Sequence, residues 1–243
     1  MHIQKITIAS ESFPVRDRYP FNLEQFQATR EIRFNSPVTF FVGENGTGKS
    51  TLLKALSRAC DIYIWEGDQR VRLHGNPYEG LLHTRLRVEW TNGRVPGSFF
   101  ASEIFNHFSQ MLDEWAVTDP GALSYFGDQS LMELSHGQGH MAFFRHRYTI
   151  RGLYFLDEPE NALSPARQLE LLRILRQAVG GGQAQFIIAT HSPLLMSLPG
   201  ARILSFDVSP VAEIRYRDTS HYQVYRDFFR DMEAPSGDGS PAG

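Results

Sequence analysis

The 243-residue chain is 42% hydrophobic, carries a formal charge of −3 and contains one cysteine. Its length fits one domain, or one core with a subdomain, and its charge excludes a generally basic protein that coats nucleic acid. No run of about eighteen uninterrupted apolar residues offers a transmembrane helix. Met1 to Ile8 alternates like a first strand and lacks the apolar stretch of a signal peptide, so the expected location is cytoplasmic.

Residues 1 to 42 read as antiparallel strands. They are interrupted by a polar, arginine-bearing loop from Glu11 to Asn22 that holds Phe13, Tyr19 and Phe21, with Arg16 and Arg18 as candidates for a phosphate contact. The last strand, Val38-Thr39-Phe40-Phe41-Val42, runs straight into Gly43-Glu44-Asn45-Gly46-Thr47-Gly48-Lys49-Ser50 and then a helix-like run from Thr51 to Leu56. The octapeptide fits G-x-x-x-x-G-K-[ST], and strand, glycine loop and helix are the context a P-loop needs. Its glycines let successive N–H groups face an anion, and the helix N-terminus adds partial positive charge. Lys49 is expected to reach the β- and γ-phosphates and Ser50 to bind Mg²⁺, with Asn45, Gly46, Thr47, Gly48 and Thr51 completing the nucleotide-binding set. The implied ligand is a nucleoside triphosphate. Cys60, at the end of that helix, reads as a small core residue.

Residues 81 to 103 predict a hairpin, with Leu86 to Trp90 and Ser98 to Phe100 as strands around an Asn92-Gly93 turn. Residues 104 to 148 are helix-rich, with Ile104, Phe105, Phe108, Met111, Leu112 and Trp115 at helical spacing. His140, Arg145, His146, Arg147 and Arg151 form a basic cluster that could meet nucleic acid or an acidic partner, or simply a solvated helix face. His136 and His140 have the spacing of two zinc ligands on a helix, but no third ligand is apparent. Gly152 to Leu156 is an apolar run of buried-strand length. Asp157 at its end is placed to hold Mg²⁺ beside the P-loop, and Glu158 to polarise an attacking water. A helix over Pro165 to Ala178 ends at Gly180-Gly181-Gly182, and Gln185 to Thr190 is a further apolar strand. Strands at Arg202 to Asp207 and Glu213 to Tyr216 and a helix around Tyr222 to Met232 follow. Residues 234–243 have the composition of a disordered tail.

Leu134-Ser135-His136-Gly137-Gln138 resembles the L-S-G-G-Q signature of ATP-binding-cassette (ABC) ATPases, with His136 replacing the first glycine. Pro159 to Ser164 is similar to that family's D-loop, and His191-Ser192 to its switch histidine. With the P-loop and Asp157-Glu158, these motifs follow the family's order across residues 43 to 192. Phe41 to Ser50 and Asp157 to Pro165 look less like importer or exporter subunits than like soluble stand-alone ATPases. They resemble those of the RecF/SMC-related group, including the overcoming-lysogenization-defect and small "AAA family" ATPases. Long members of that group insert a coiled coil before the signature. Here about 80 residues without sustained heptads separate the two motifs, which excludes such an arm.

The resemblance implies an α/β P-loop NTPase of ABC-ATPase type. Its central sheet would be largely parallel, its N-terminal strands antiparallel, and a helical subdomain (about 104–148) would be inserted in one ATPase domain over 1–233. It also implies Mg²⁺-dependent ATP hydrolysis by a head-to-tail homodimer, each ATP lying between one P-loop and Ser135, His136, Gly137 and Gln138 of the other chain. Glu158 would orient water, His191 would sense the γ-phosphate, Ser50 and Asp157 would hold the metal, and Tyr19 would stack on adenine. Transporter cassettes carry a Q-loop glutamine; the corresponding residues 96 to 103 have none. Glu103 or Ser102 is the candidate for a water-mediated metal contact instead, with Gln129 as another. That missing glutamine counts against a membrane partner. The alternatives are an ATP-driven clamp or switch acting on DNA or a protein client with slow hydrolysis, and the ATP-binding subunit of a transporter.

Overall fold

The computed structural model describes residues 1–66, 75–127 and 129–233, so the tail at 234–243 lies outside the described residues. A six-stranded sheet organises the chain. Five of its strands are parallel, in the order β5 (Gly97–Ala101), β6 (Gly152–Asp157), β7 (Ala184–Ala189), β3 (Val38–Val42) and β8 (Arg202–Ser205); β9 (Ala212–Glu213) closes the edge antiparallel to β8. Every residue of β3, β6 and β7 is buried, because both faces of these strands are covered.

Alternation along each strand divides the interior in two. Phe40, Leu156 and Ile188 pack with three helices, α3 (Phe105–Thr118), α4 (His136–Arg147) and α5 (Pro165–Gly180). Phe41, Phe155 and Ile187 pack on the other side with α2 (Lys49–Ala59), Phe26 of the short α1 (Glu24–Ala28) and β1 (Ile3–Ile8). β1 belongs to a second, three-stranded antiparallel sheet, flanked by β2 (Glu31–Arg33) and β4 (Leu86–Trp90). The architecture is that expected from the sequence in its largely parallel central sheet and in helices α3 and α4 between β5 and β6; of the N-terminal strands expected to be antiparallel, β1 and β2 are, whereas β3 runs parallel between β7 and β8.

The hairpin expected over 81 to 103 does not form. β4 pairs with β1, placing Val88 opposite Ile6, whereas β5 pairs parallel with β6, placing Phe99 opposite Phe155. The cause is burial: Phe99 and Phe100 point to opposite faces and are both buried, so their strand needs cover on two sides. β4 alternates half-buried with exposed residues and suits an outer sheet. The strand expected at Glu213 to Tyr216 shrinks to β9, and Tyr216–Asp218 is a 3-10 turn.

The basic cluster is not one free patch. His140 is fully buried, Arg145 is paired with Glu170 of α5, and Arg147 donates to the Gly97 carbonyl at 2.8 Å. In the α3 stripe Phe105, Phe108 and Leu112 are buried, while Trp115 stays 39% exposed against Trp65. After the short α6 (Pro193–Met196), the described chain ends in α7 (Ser220–Glu233). That helix buries none of its residues and leaves Val224, Phe228, Phe229 and Met232 exposed.

Candidate active site

Parallel strands put their carboxyl ends on one edge of the sheet, which is where such sheets bind ligands. The register aligns Val42 with Ser205, Phe41 with Ala189, and Asp157 with Ala189. Four segments therefore meet there: the loop after Val42, Asp157-Glu158, Thr190-His191 and Phe206-Asp207.

Residues 43 to 48 join β3 to α2 as a tight loop. Gly48 has φ +98°, and a Cβ there would lie 2.7 Å from the Phe26 ring and 2.9 Å from a Leu23 methyl, so only glycine fits. Gly43 is as constrained: its φ is +141°, and a Cβ would meet Asp207 Oδ1 at 2.9 Å. The same Asp207 oxygen accepts from the Glu44 amide at 2.7 Å, and Thr47 Oγ1 donates to the Glu44 carbonyl at 2.8 Å. Lys49 is 5% exposed and its ammonium donates to the Gly43 and Glu44 carbonyls at 2.7 and 2.8 Å. Burial lowers its pKa, opposed by the charges of Glu158, Asp207, Asp157 and Glu44. The cation is thus folded back over its own loop, available for an anion.

Ser50 Oγ donates to Asp157 Oδ1 at 2.7 Å. Burial pushes the Asp157 carboxyl up to about 6, against the Ser50 hydrogen bond and the charge of Lys54. A buried carboxylate without enough positive charge, beside a hydroxyl, fits a hard divalent cation such as Mg²⁺, which takes one or two carboxylates and completes its shell with phosphate and water. Among the described residues no cluster of three or more His, Cys, Asp or Glu side chains offers a cage that would hold a metal without such help. Glu103, expected at the metal through water, is 69% exposed and paired with Lys54 at 3.2 Å. Ser102 Oγ instead donates to the Asn161 carbonyl at 3.2 Å.

Glu158 follows with φ +47°, a left-handed conformation that is costly for a side-chain-bearing residue. Its carboxylate accepts from Asn161 Nδ2 at 2.8 Å and faces His191 Nε2 at 3.7 Å. His191 is fixed on three sides: its amide donates to Glu160 Oε1 at 2.6 Å, its Nε2 faces Glu158, and its Nδ1 meets His221 Nε2 at 2.9 Å. Burial raises the Glu160 carboxyl and lowers both imidazoles.

Tyr19 is 41% exposed, and its hydroxyl shares a 2.5 Å hydrogen bond with Thr51 Oγ1. It lines a cavity of about 960 Å³ with Ser50, Thr51, Lys54 and Asn76. Arg16, exposed, donates to the Ser10 carbonyl in its own loop. Ser135 is the N-cap of α4, and Gln138 Oε1 accepts from its amide at 3.1 Å and its hydroxyl at 2.7 Å. His136 is exposed at the first position of the helix while His140 is buried against Phe100 and Phe105, so the two do not form a metal pair. Gln138 and Gln129 line a separate cavity with Arg145 and Arg167, which removes Gln129 from the P-loop side.

Residues 133–197 match the family described as "AAA domain, putative AbiEii toxin, Type IV TA system", and residues 21–63 match one described as "AAA domain". The zinc transport system ATP-binding protein of Treponema pallidum is 25% identical over 193 residues, 71% of this chain and 68% of its own. The cobalt import ATP-binding protein of Salmonella typhimurium is 30% identical over 176 residues, 64% of this chain and 62% of its own. These alignments thus span about two thirds of each relative. These likenesses support an ABC-type P-loop ATPase. A solved ATP-binding subunit of an ABC transporter has the same fold, with a TM-score of 0.51 at 14% identity over 93% of this chain and 99% of that one.

Four residues of this ATPase edge were not singled out from sequence. Asn161 and Glu160 lie in the D-loop segment, one on Glu158 and one on the His191 backbone. Asp207 follows β8, and nothing local marks it as a partner of the P-loop. His221 sits in an amphipathic helix 30 residues beyond His191.

Proposed function

We propose that this ATPase binds Mg²⁺-ATP in its P-loop and hydrolyses it as a head-to-tail homodimer. Thr47, Gly48, Lys49, Ser50 and Thr51, with the amides of Asn45 and Gly46, bind the phosphates, and Tyr19 contacts the base. Ser50 and Asp157 are the residues that would hold Mg²⁺, which supplies neutralisation of phosphate charge. Glu158, held by Asn161, orients the attacking water and takes its proton, and His191 contacts the γ-phosphate. The observation that carries the reading is the pairing of Ser50 with Asp157 and of Glu158 with His191 at the carboxyl ends of β6 and β7.

The signature completes the site from a second chain. Support comes from the two cavities: none of the residues lining the cavity beside Ser50 and Thr51 belongs to the signature, and no P-loop residue lines the cavity of Gln138. An exposed Ser135 on a helix N-terminus is suited to face another chain's phosphate. The test is complementation. Lys49→Ala and Ser135→Arg chains are each expected to be inactive, and mixing them should restore part of the activity through one intact composite site. A mixture that stays inactive while both variants remain folded refutes the shared site.

A second reading, the ATP-binding subunit of a transporter, is favoured by the names of the relatives, two of which serve zinc transport and cobalt import. The absence of glutamine from residues 96 to 103 weighs against it. Co-purification separates the readings: a membrane permease supports transport, and DNA or a soluble protein supports a clamp or switch.

A further inference from the structure

His221 lies on the first turn of α7 and reaches back to the edge of the central sheet, where its Nε2 is 2.9 Å from His191 Nδ1. On its other side, the His221 Nδ1 lies 3.5 Å from Ser220 Oγ. A neutral imidazole has one donor and one acceptor nitrogen, so the contact between the two rings admits two arrangements. In one, His191 Nδ1–H donates to His221, leaving a bare lone pair on His191 Nε2 pointed at the Glu158 carboxylate 3.7 Å away. In the other, His221 Nε2–H donates to His191 Nδ1, and His191 presents an N–H to Glu158. The second replaces a repulsion by an attraction. It also gives His221 Nδ1 the acceptor role towards the Ser220 hydroxyl, so each contact from Ser220 to Glu158 has a donor and an acceptor.

We propose that His221 is a positioning residue for His191, fixing its tautomer with the proton on Nε2 and its ring towards Glu158. Groups near the pair are Lys49, Glu44, Asp207 and Glu158. Burial keeps both imidazoles below their usual pKa, which is consistent with two neutral rings sharing one hydrogen. Without His221, His191 would be free to place its proton on either nitrogen, and only one of those forms offers a donor to a phosphate oxygen. The kinetic consequence rests on the hydrolysis reading above; the tautomer itself does not.

The experiment pairs a spectrum with a rescue series on the full chain. Long-range ¹H–¹⁵N correlation at pH 7.5 without nucleotide, with the His191 signals identified by loss in His191→Ala, should show a protonated Nε2 and an unprotonated Nδ1. In His221→Ala the His191 nitrogens should move to averaged tautomer shifts, and in His221→Gln, whose side-chain amide donates from a similar reach, they should return towards wild type. Kinetically, His221→Ala should lower kcat about tenfold or more, the scale seen when a metal-bound histidine loses its orienting partner, with KM within about twofold. His221→Gln should recover a large part of that loss. A His191 proton on Nδ1 in the wild type overturns the proposal, as does a glutamine variant no better than alanine in both the spectrum and kcat. If the wild type hydrolyses no ATP, the hydrolysis reading fails and the spectrum alone decides the tautomer.

Discussion

Lys49 is the residue on which the proposed nucleotide binding depends most directly. Its ammonium is buried on two loop carbonyls, and no other lysine lies in the P-loop. Lys49→Ala removes charge-assisted contacts to phosphate worth about 1.5–3 kcal/mol each. Titration with a fluorescent ATP analogue should show binding weakened by about 10²–10⁴-fold for two such contacts; affinity within twofold of wild type would contradict the role. His140 offers a different residue-scale test. It is 0% exposed between Phe100 and Phe105, and burial lowers its pKa from 6.5 to about 4. The folded chain therefore binds fewer protons than the unfolded one between those values. Stability from the neutral ring is complete above pH 6.5 and is lost as the pH falls towards 4, by about 3 kcal/mol from this residue. Chemical denaturation of His140→Leu should show a shallower acid loss than wild type by about that amount. Equal slopes for the two proteins would show that His140 does not titrate this way.

Among the elements, the join between α4 and the D-loop segment is tight. A Cβ on Gly137 would lie 2.8 Å from the Ala162 carbonyl, and Arg167 reaches the Gly137 carbonyl from the first turn of α5. Gly137→Ala must push the signature turn away from residues that follow Glu158, at a cost of about 1–3 kcal/mol typical of overpacking. The expected result is ATP affinity within about threefold of wild type, since the P-loop is untouched, with hydrolysis at least about tenfold slower; a rate equal to wild type would show that the turn's position is unimportant. Elements also mark what could be read from sequence. β3 with its loop and α2 were legible because glycine, lysine and strand patterns sit within fourteen consecutive residues. β6 and β7 were legible as continuous apolar runs. The pairing of β4 and β5 was not, because Asn92-Gly93 signals a turn but carries nothing about which sheet receives each strand. Asp207 and His221 escaped for the same reason: each meets the site through a contact more than 25 residues away in sequence, which no local pattern records.

At the scale of the whole molecule, the parallel sheet places the P-loop, Asp157, Glu158 and His191 on one edge, while the signature stands at the head of α4 with its own cavity. On the proposed reading this edge holds most of the groups hydrolysis needs, and the serine that closes over the nucleotide, Ser135, comes from a second chain. Dimerisation should therefore follow ATP binding and end with hydrolysis. The most direct test is Glu158→Gln, which keeps the size of the side chain and one acceptor oxygen but cannot take a proton from water. Losing a general base slows hydrolysis by about 10²–10⁴-fold, roughly 3–5 kcal/mol of barrier, while Ser50, Lys49 and Asp157 still bind Mg²⁺-ATP. Size-exclusion chromatography with light scattering in Mg²⁺-ATP should show a persistent Glu158→Gln dimer and a mostly monomeric wild type after turnover. A variant that hydrolyses at the normal rate, or one that is inactive yet stays monomeric with ATP bound, would contradict the account.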